Sequence, residues 1–148
     1  MQIDFAQTVY EDIDALASIR VRAMRESLSR IGRFNADVAR ARLAETFDPL
    51  TCRFIVVDGS KVGVIDVRER AAHILIHHLY LFPAYQGVGI GSTILRKILA
   101  DARRLGLPVI TGALHGSEAN RFYIQHGFVK TGSKDVDNYY VYLDAERK

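Results

Sequence analysis

Long apolar runs are missing from this chain, and so are the marks of export and of covalent cross-linking. No window approaches the ~20 apolar residues that a bilayer-spanning helix needs. Met1-Gln2-Ile3-Asp4-Phe5 shows no basic leader followed by an apolar stretch. Secretion and membrane insertion are therefore not expected, and the expected location is cytoplasmic. A single cysteine, Cys52, excludes an internal disulfide and agrees with a reducing compartment. It precedes the apolar run Phe54-Ile55-Val56-Val57 and is expected as a packed thiol rather than a nucleophile. Repeats, low-complexity stretches and Pro/Gly/Ser linkers are absent too, so residues 1–148 are expected to form one domain. The basic residues never gather into a dense cluster, which argues against nucleic acid as a partner.

What is present is the composition of an ordinary globular protein. Apolar residues make up 49% and charged residues 25% of 148 positions, enough to bury a core without metal or disulfide staples. The net charge of +3 suits an acidic ligand.

Periodicity and punctuation divide the chain into elements. Residues 1–7 alternate weakly and read as a strand. Asp12 stands where it can cap a helix to about Leu28, with Ile13, Leu16, Ala17 and Met24 on one stripe. Arg20 falls on that apolar stripe, where a charge is unexpected. It either snorkels or pairs with a carboxylate, or it marks a face that borders a substrate cleft. Asn35 caps a second helix, in which Ala36, Ala39, Leu43 and Phe47 recur until Asp48-Pro49 stops it. Two strands, residues 54–57 and 62–67, flank the hairpin-type loop Asp58-Gly59-Ser60-Lys61. The longest apolar strand, residues 73–82, ends at Pro83. A helix from Gly91 to Leu105 carries Ile94, Leu95, Ile98, Ala102 and Leu105 on one face and stops at Gly106. A strand at 109–114, a short helix started by Ser117 and ended by Gly127, and strands at 128–131 and 138–143 complete the chain. The order β α α β β β α β α β β is an α+β layout, with a mostly antiparallel sheet and one parallel crossover through the long helix.

The chemistry is concentrated in Leu79-Tyr80-Leu81-Phe82-Pro83-Ala84-Tyr85-Gln86-Gly87-Val88-Gly89-Ile90-Gly91-Ser92. A buried strand delivers the chain to a turn whose three glycines clear side chains away, so that backbone N–H groups can converge on an anion. The helix that follows adds its unpaired N–H groups and the positive end of its dipole. A phosphate or pyrophosphate is the natural ligand. No lysine follows Gly87, Gly89 or Gly91, which excludes a Walker A loop. A dinucleotide fingerprint fails as well, because Ser92 or Ile94 occupies the place of its third glycine.

The segment resembles the acetyl-CoA motif of the GNAT superfamily, Gln/Arg-x-x-Gly-x-Gly/Ala, here Gln86-Gly87-Val88-Gly89-Ile90-Gly91. A second stretch, Asn120-Arg121-Phe122-Tyr123-Ile124-Gln125-His126-Gly127-Phe128, is similar to the family's Asn…Phe-Tyr-x-x-x-Gly-Phe. The resemblance implies a GNAT-like α+β fold, a mixed, mostly antiparallel sheet with helices on both faces, and an acetyltransferase that uses acetyl-CoA as co-substrate and no metal. The amides of Val88, Gly89, Gly91 and Ser92 would hold the pyrophosphate, with Gln86 and Gly87 shaping the turn. Leu79 and Leu81 would meet the pantetheine arm through their backbone, and the amide of Leu81 would polarise the thioester carbonyl. Asn120 departs from the pattern. Many relatives place their pantetheine-binding asparagine where Gly116 stands, so Asn120 is either a cofactor ligand or a polar residue of a short helix.

Tyr123 resembles the family tyrosine near the cofactor sulfur, which implies a general acid for the departing thiolate. Many relatives carry a glutamate where Leu75 stands. Arylalkylamine acetyltransferases have a histidine at the position of His77, and an imidazole titrates near neutrality, so His77 is the candidate base, directly or through water. The acceptor is expected to be a primary amine on a small molecule or peptide. Arg20, Arg22, Arg25 and Arg30 would welcome a carboxylate on it, whereas Glu26, Asp135 and Asp137 would hold a cation. A homodimer is left open. The competing readings are a non-catalytic acyl-CoA-binding module of GNAT type and a small nucleotide-binding α/β domain.

Overall fold

The structure is a computed structural model that describes residues 1–30, 32 and 35–144. Its elements are β1 (Ile3–Gln7), α1 (Ile13–Arg30), α2 (Ala36–Thr46), β2 (Cys52–Val57), β3 (Ser60–Glu69), β4 (Ile74–Leu81), α3 (Ile90–Leu105), β5 (Val109–Leu114), α4 (Glu118–Gln125), β6 (Val129–Lys134) and β7 (Asp137–Tyr142). The seven strands lie in the order β1-β2-β3-β4-β5-β7-β6, mostly antiparallel, with one parallel pair between β4 and β5. This is the expected mixed α+β architecture. Two compact units divide the chain, one of residues 1–66 and 78–91, the other of residues 67–77 and 92–148.

In the first unit β1, β2 and β3 pair in sequence, Phe5 opposite Ile55 and Phe54 opposite Val64. The hairpin turn is tighter than the four-residue loop expected. Asp58 (φ 49°) and Gly59 (φ 87°) alone make it, the pair of positive φ values a two-residue turn matching the strand twist demands, and Ser60 and Lys61 already belong to β3. Alternation sends Cys52, Phe54 and Val64 to a core with Leu16, Ala17 and Ile19 of α1 and Leu43 of α2. Cys52 is 1% exposed and packs there as expected. Asn35 caps α2 through Oδ1, which accepts from the amide of Val38 at 3.1 Å. Asp12 acts differently from the forward cap expected. It ends a 3-10 turn at Tyr10–Asp12, and its carboxylate reaches back to accept the amide of Val9 at 2.9 Å. Gly63 lets β3 approach the end of β4, since a Cβ there would stand 2.4 Å from the carbonyl oxygen of Tyr80.

In the second unit the first residues of β4 pair with β5, Ile74 with Val109 through Ile76 with Thr111. The Thr111 hydroxyl donates to the Ile76 carbonyl at 3.0 Å. The ladder ends there, while β4 continues to Leu81 and β5 to Leu114. Helix α3 buries Ile94, Leu95, Ile98, Leu99 and Ala102, a stripe at helical spacing. Leu105, expected on that face, is 43% exposed, because the helix stops there and Gly106 turns away at φ 74°. Strands β5, β7 and β6 follow as antiparallel neighbours. No helix among the described residues is long and apolar enough to cross a membrane.

Candidate functional site

In the first unit, β4 hands the chain to the glycine-rich turn in a fixed way. The amide of Phe82 donates to Val62 at 2.9 Å, and the amides of Tyr85 and Gln86 close a 3-10 turn on Phe82 and Pro83. The Gln86 side chain then folds back, its Nε2 donating to the carbonyl of Leu81 at 2.9 Å. One amide thereby ties the start of the turn to the end of the strand. Gly87 (φ 75°) and Gly89 (φ 92°) take the left-handed backbone that the motif's glycines permit. A Cβ built on either would meet nothing within 4 Å, so open space fronts the turn on the side from which side chains are absent. Gln86 to Gly89 are all exposed. Ile90, 2% exposed, anchors the next turn in the core, and α3 begins there, at the end of a helix where the first N–H groups point outward along the axis. The donor set suits a pyrophosphate. Among the strand residues, Leu81 is buried and Leu79 half-buried.

In the second unit, Tyr123 lies on α4, 4% exposed. Its ring packs against Phe122, Phe128 and Tyr140 at centroid distances of 5.3, 5.1 and 6.3 Å. Asn120, one helical turn earlier, is the hub of a hydrogen-bond network. Its Nδ2 donates to the carbonyls of Leu114 (2.7 Å) and Ser117 (2.9 Å), and its Oδ1 accepts from Asn138 Nδ2 (2.8 Å) and the Tyr140 hydroxyl (2.7 Å). The side chain is thus committed to joining β5, α4 and β7. An Asn120→Ala variant should lose about 2 to 4 kcal/mol of stability, because the buried Tyr140 hydroxyl and two carbonyls lose a partner together. Denaturant unfolding measures it, and a loss below about 1 kcal/mol would show that water replaces the network. His77 is half-buried in β4.

Arg20 does not snorkel, and it pairs with no carboxylate among the described residues. It is 5% exposed, its Nη1 donates to the carbonyl of Ala39, and its guanidinium stands 5.5 Å from the centroid of the Tyr80 ring. Two further polar residues of the first unit, to which the sequence assigns no role, are buried. Asp66 is fully buried in β3 and His78 is 7% exposed in β4, 5.5 Å from the Tyr80 ring. Asp66 interrupts the run Val62-Gly63-Val64-Ile65-Asp66-Val67, and that interruption was the available signal. Among the described residues no group of His, Cys, Asp and Glu is arranged to hold a metal ion.

A family model described as an acetyltransferase (GNAT) domain matches residues 51–130. An uncharacterised N-acetyltransferase of Mycobacterium bovis is 34% identical over 108 residues, covering 68% of this chain and 67% of that protein. Among solved structures, the PaiA N-acetyltransferase of Thermoplasma acidophilum, determined in complex with coenzyme A, superposes with a TM-score of 0.77 at 17% identity, over 97% of this chain and all of that one (100%). An acetyltransferase of Thermus thermophilus gives 0.71 at 17% identity, over 96% and 97% of the two chains. With the matched region running through both motifs and the fold the same, the chain belongs to the GNAT family of N-acetyltransferases, and acetyl transfer is the chemistry it serves.

Proposed function

We propose that the protein transfers an acetyl group from acetyl-CoA to a primary amine by direct attack in a ternary complex. The observation that carries this reading is the turn from Gln86 to Gly91, with two left-handed glycines fronted by open space and a helix N-terminus behind them. The amides of Val88, Gly89, Gly91 and Ser92 bind the pyrophosphate. Gln86, bonded to Leu81, holds the turn in shape, and Gly87 supplies the first left-handed residue. The backbone of Leu79 and Leu81 meets the pantetheine arm, and the Leu81 N–H polarises the thioester carbonyl. Asn120, with its amide spent inside the protein, serves by fixing the segment that carries Tyr123.

The reaction needs a neutral amine and a protonated leaving group. His77, directly or through a water, takes the proton that the amine sheds as its nitrogen bonds to the thioester carbon. The carbon–sulfur bond breaks, and Tyr123 gives its phenolic proton to the thiolate, to be reprotonated from solvent. No metal is called for, and a cytoplasmic setting would supply the co-substrate.

Acetyl-CoA should stabilise the protein, since it binds the native state alone. A hundredfold excess over Kd gives about 2.7 kcal/mol, or roughly 5 to 10 °C in Tm for a chain of this size. A folded sample with no shift at saturating acetyl-CoA would overturn the reading.

A further inference from the structure

We propose that Arg20 holds a carboxylate of the acceptor, so that the substrates are amines that also carry a carboxylate group; this rests on the acetyl-transfer reading above. The starting point is a charge in the wrong place. Arg20 lies on the apolar stripe of α1, between Leu16 and Met24, and only 5% of it is exposed. A buried guanidinium is costly unless it is paired and hydrogen-bonded. Here Nη1 has one neutral partner, the Ala39 carbonyl, and Nε is buried without any hydrogen-bond partner. No carboxylate among the described residues hydrogen-bonds or ion-pairs with it. The one buried acid among them, Asp66, is engaged elsewhere. The Ala39 carbonyl lies inside α2 and gives little reason to bury a guanidinium.

The arrangement points to the missing partner. With Nη1 taken, the edge formed by Nε and Nη2 remains, and two parallel N–H bonds from such an edge match the two oxygens of a carboxylate. Tyr80 flanks the guanidinium with its ring face and helps to fix it. Tyr80 is also the residue before Leu81, whose amide is assigned to the thioester carbonyl. A carboxylate held by Arg20 would lie beside the Tyr80 ring, in the strand that carries Leu81. Arg22, exposed on the same helix, stands 4.5 Å from the Phe82 ring and adds positive potential beside that end of the strand. Free amino acids and the carboxyl termini of short peptides share this chemistry.

The test is an acceptor panel of α-amino acids, their carboxamides, and dipeptides with free or amidated C-termini, read by thiol release and by mass. Wild type should prefer the carboxylate over the matched amide by about 10- to 100-fold in kcat/KM, the range expected for a hydrogen bond to a charged group. Free amino acids and dipeptides then divide the two sources. Arg20→Met should bring the ratio near one with acetyl-CoA affinity unchanged, and Arg20→Lys should keep part of it. Equal use of acid and amide by wild type, or an undiminished preference in Arg20→Met, overturns the proposal while leaving acetyl transfer intact. A readout without turnover stands beside it. Acetate, compared with chloride at matched ionic strength, should raise the Tm of wild type more than that of Arg20→Met. If no acceptor reacts and acetate stabilises both proteins equally, Arg20 is not a carboxylate site. A protein that fails to bind acetyl-CoA yet shows the acetate effect instead refutes the acetyl-transfer reading and keeps the site.

Discussion

Gly89→Val should lose acetyl-CoA binding by at least about 100-fold while the apo protein keeps its fold. Gly89 sits at φ 92°, where a β-branched residue is a genuine outlier costing of order 1 to 3 kcal/mol. The valine either accepts that strain or relaxes the turn, and relaxation turns the neighbouring amides away from a common point. Its side chain would also enter the space in front of the turn, in which a Cβ now meets nothing within 4 Å. That emptiness is why the fold should survive: the new Cβ meets no other group of the protein, and the segment is exposed. The loss of two charge-assisted amide contacts, each worth about 1.5 to 3 kcal/mol, accounts for the affinity. Isothermal titration with acetyl-CoA, beside a melting curve of the apo protein, checks both halves. An unchanged Kd would show that the phosphates are held elsewhere.

Tyr123→Phe should lower kcat by about 100-fold and leave the KM for acetyl-CoA little changed. The ring is packed against three aromatic neighbours, and phenylalanine retains that packing. What disappears is a proton donor. A positioned general acid contributes about 10² to 10⁴ in rate. A thiolate is a tolerable leaving group, which places the effect at the lower end, about 2.7 kcal/mol of barrier. Because the hydroxyl acts in the transition state, the loss belongs in kcat. It should also recur with every acceptor, which separates it from a change in the acceptor site. An unaltered kcat while chemistry limits the rate would reduce Tyr123 to a core aromatic, with water protonating the thiolate.

The parts of the structure written in local chemistry were legible beforehand. The turn from Gln86 to Gly91 announces itself because left-handed backbone requires glycine. Helix α3 has an unambiguous period, and β5 occupies the residues 109–114 that its composition marks. Boundaries fail where pairing, not burial, makes the strand. β6 was expected at 128–131 and runs instead over Val129–Lys134, every residue exposed. It exists because β7 offers a ladder, and hydropathy carries no trace of that. β3 likewise extends to Arg68 and Glu69, polar residues beyond the apolar run. The polar interior was the least legible. Asn120 finds its partners 18 and 20 residues away, and Arg20 meets a carbonyl 19 residues on. Such contacts depend on how helices and strands are brought together, which no spacing in the sequence encodes. Arg20 was conspicuous as a charge on an apolar stripe; that its Nε would have no partner was not.

The most direct measurement is to incubate the protein with acetyl-CoA and a broad panel of amines, following thiol release and acetylated product by mass in the same samples. At least one amine should gain one acetyl group for every thiol released, at a rate that Gly89→Val abolishes. Acetyl-CoA bound tightly but never transferred to any amine, or thiol released with acetate as its sole companion product, would contradict it.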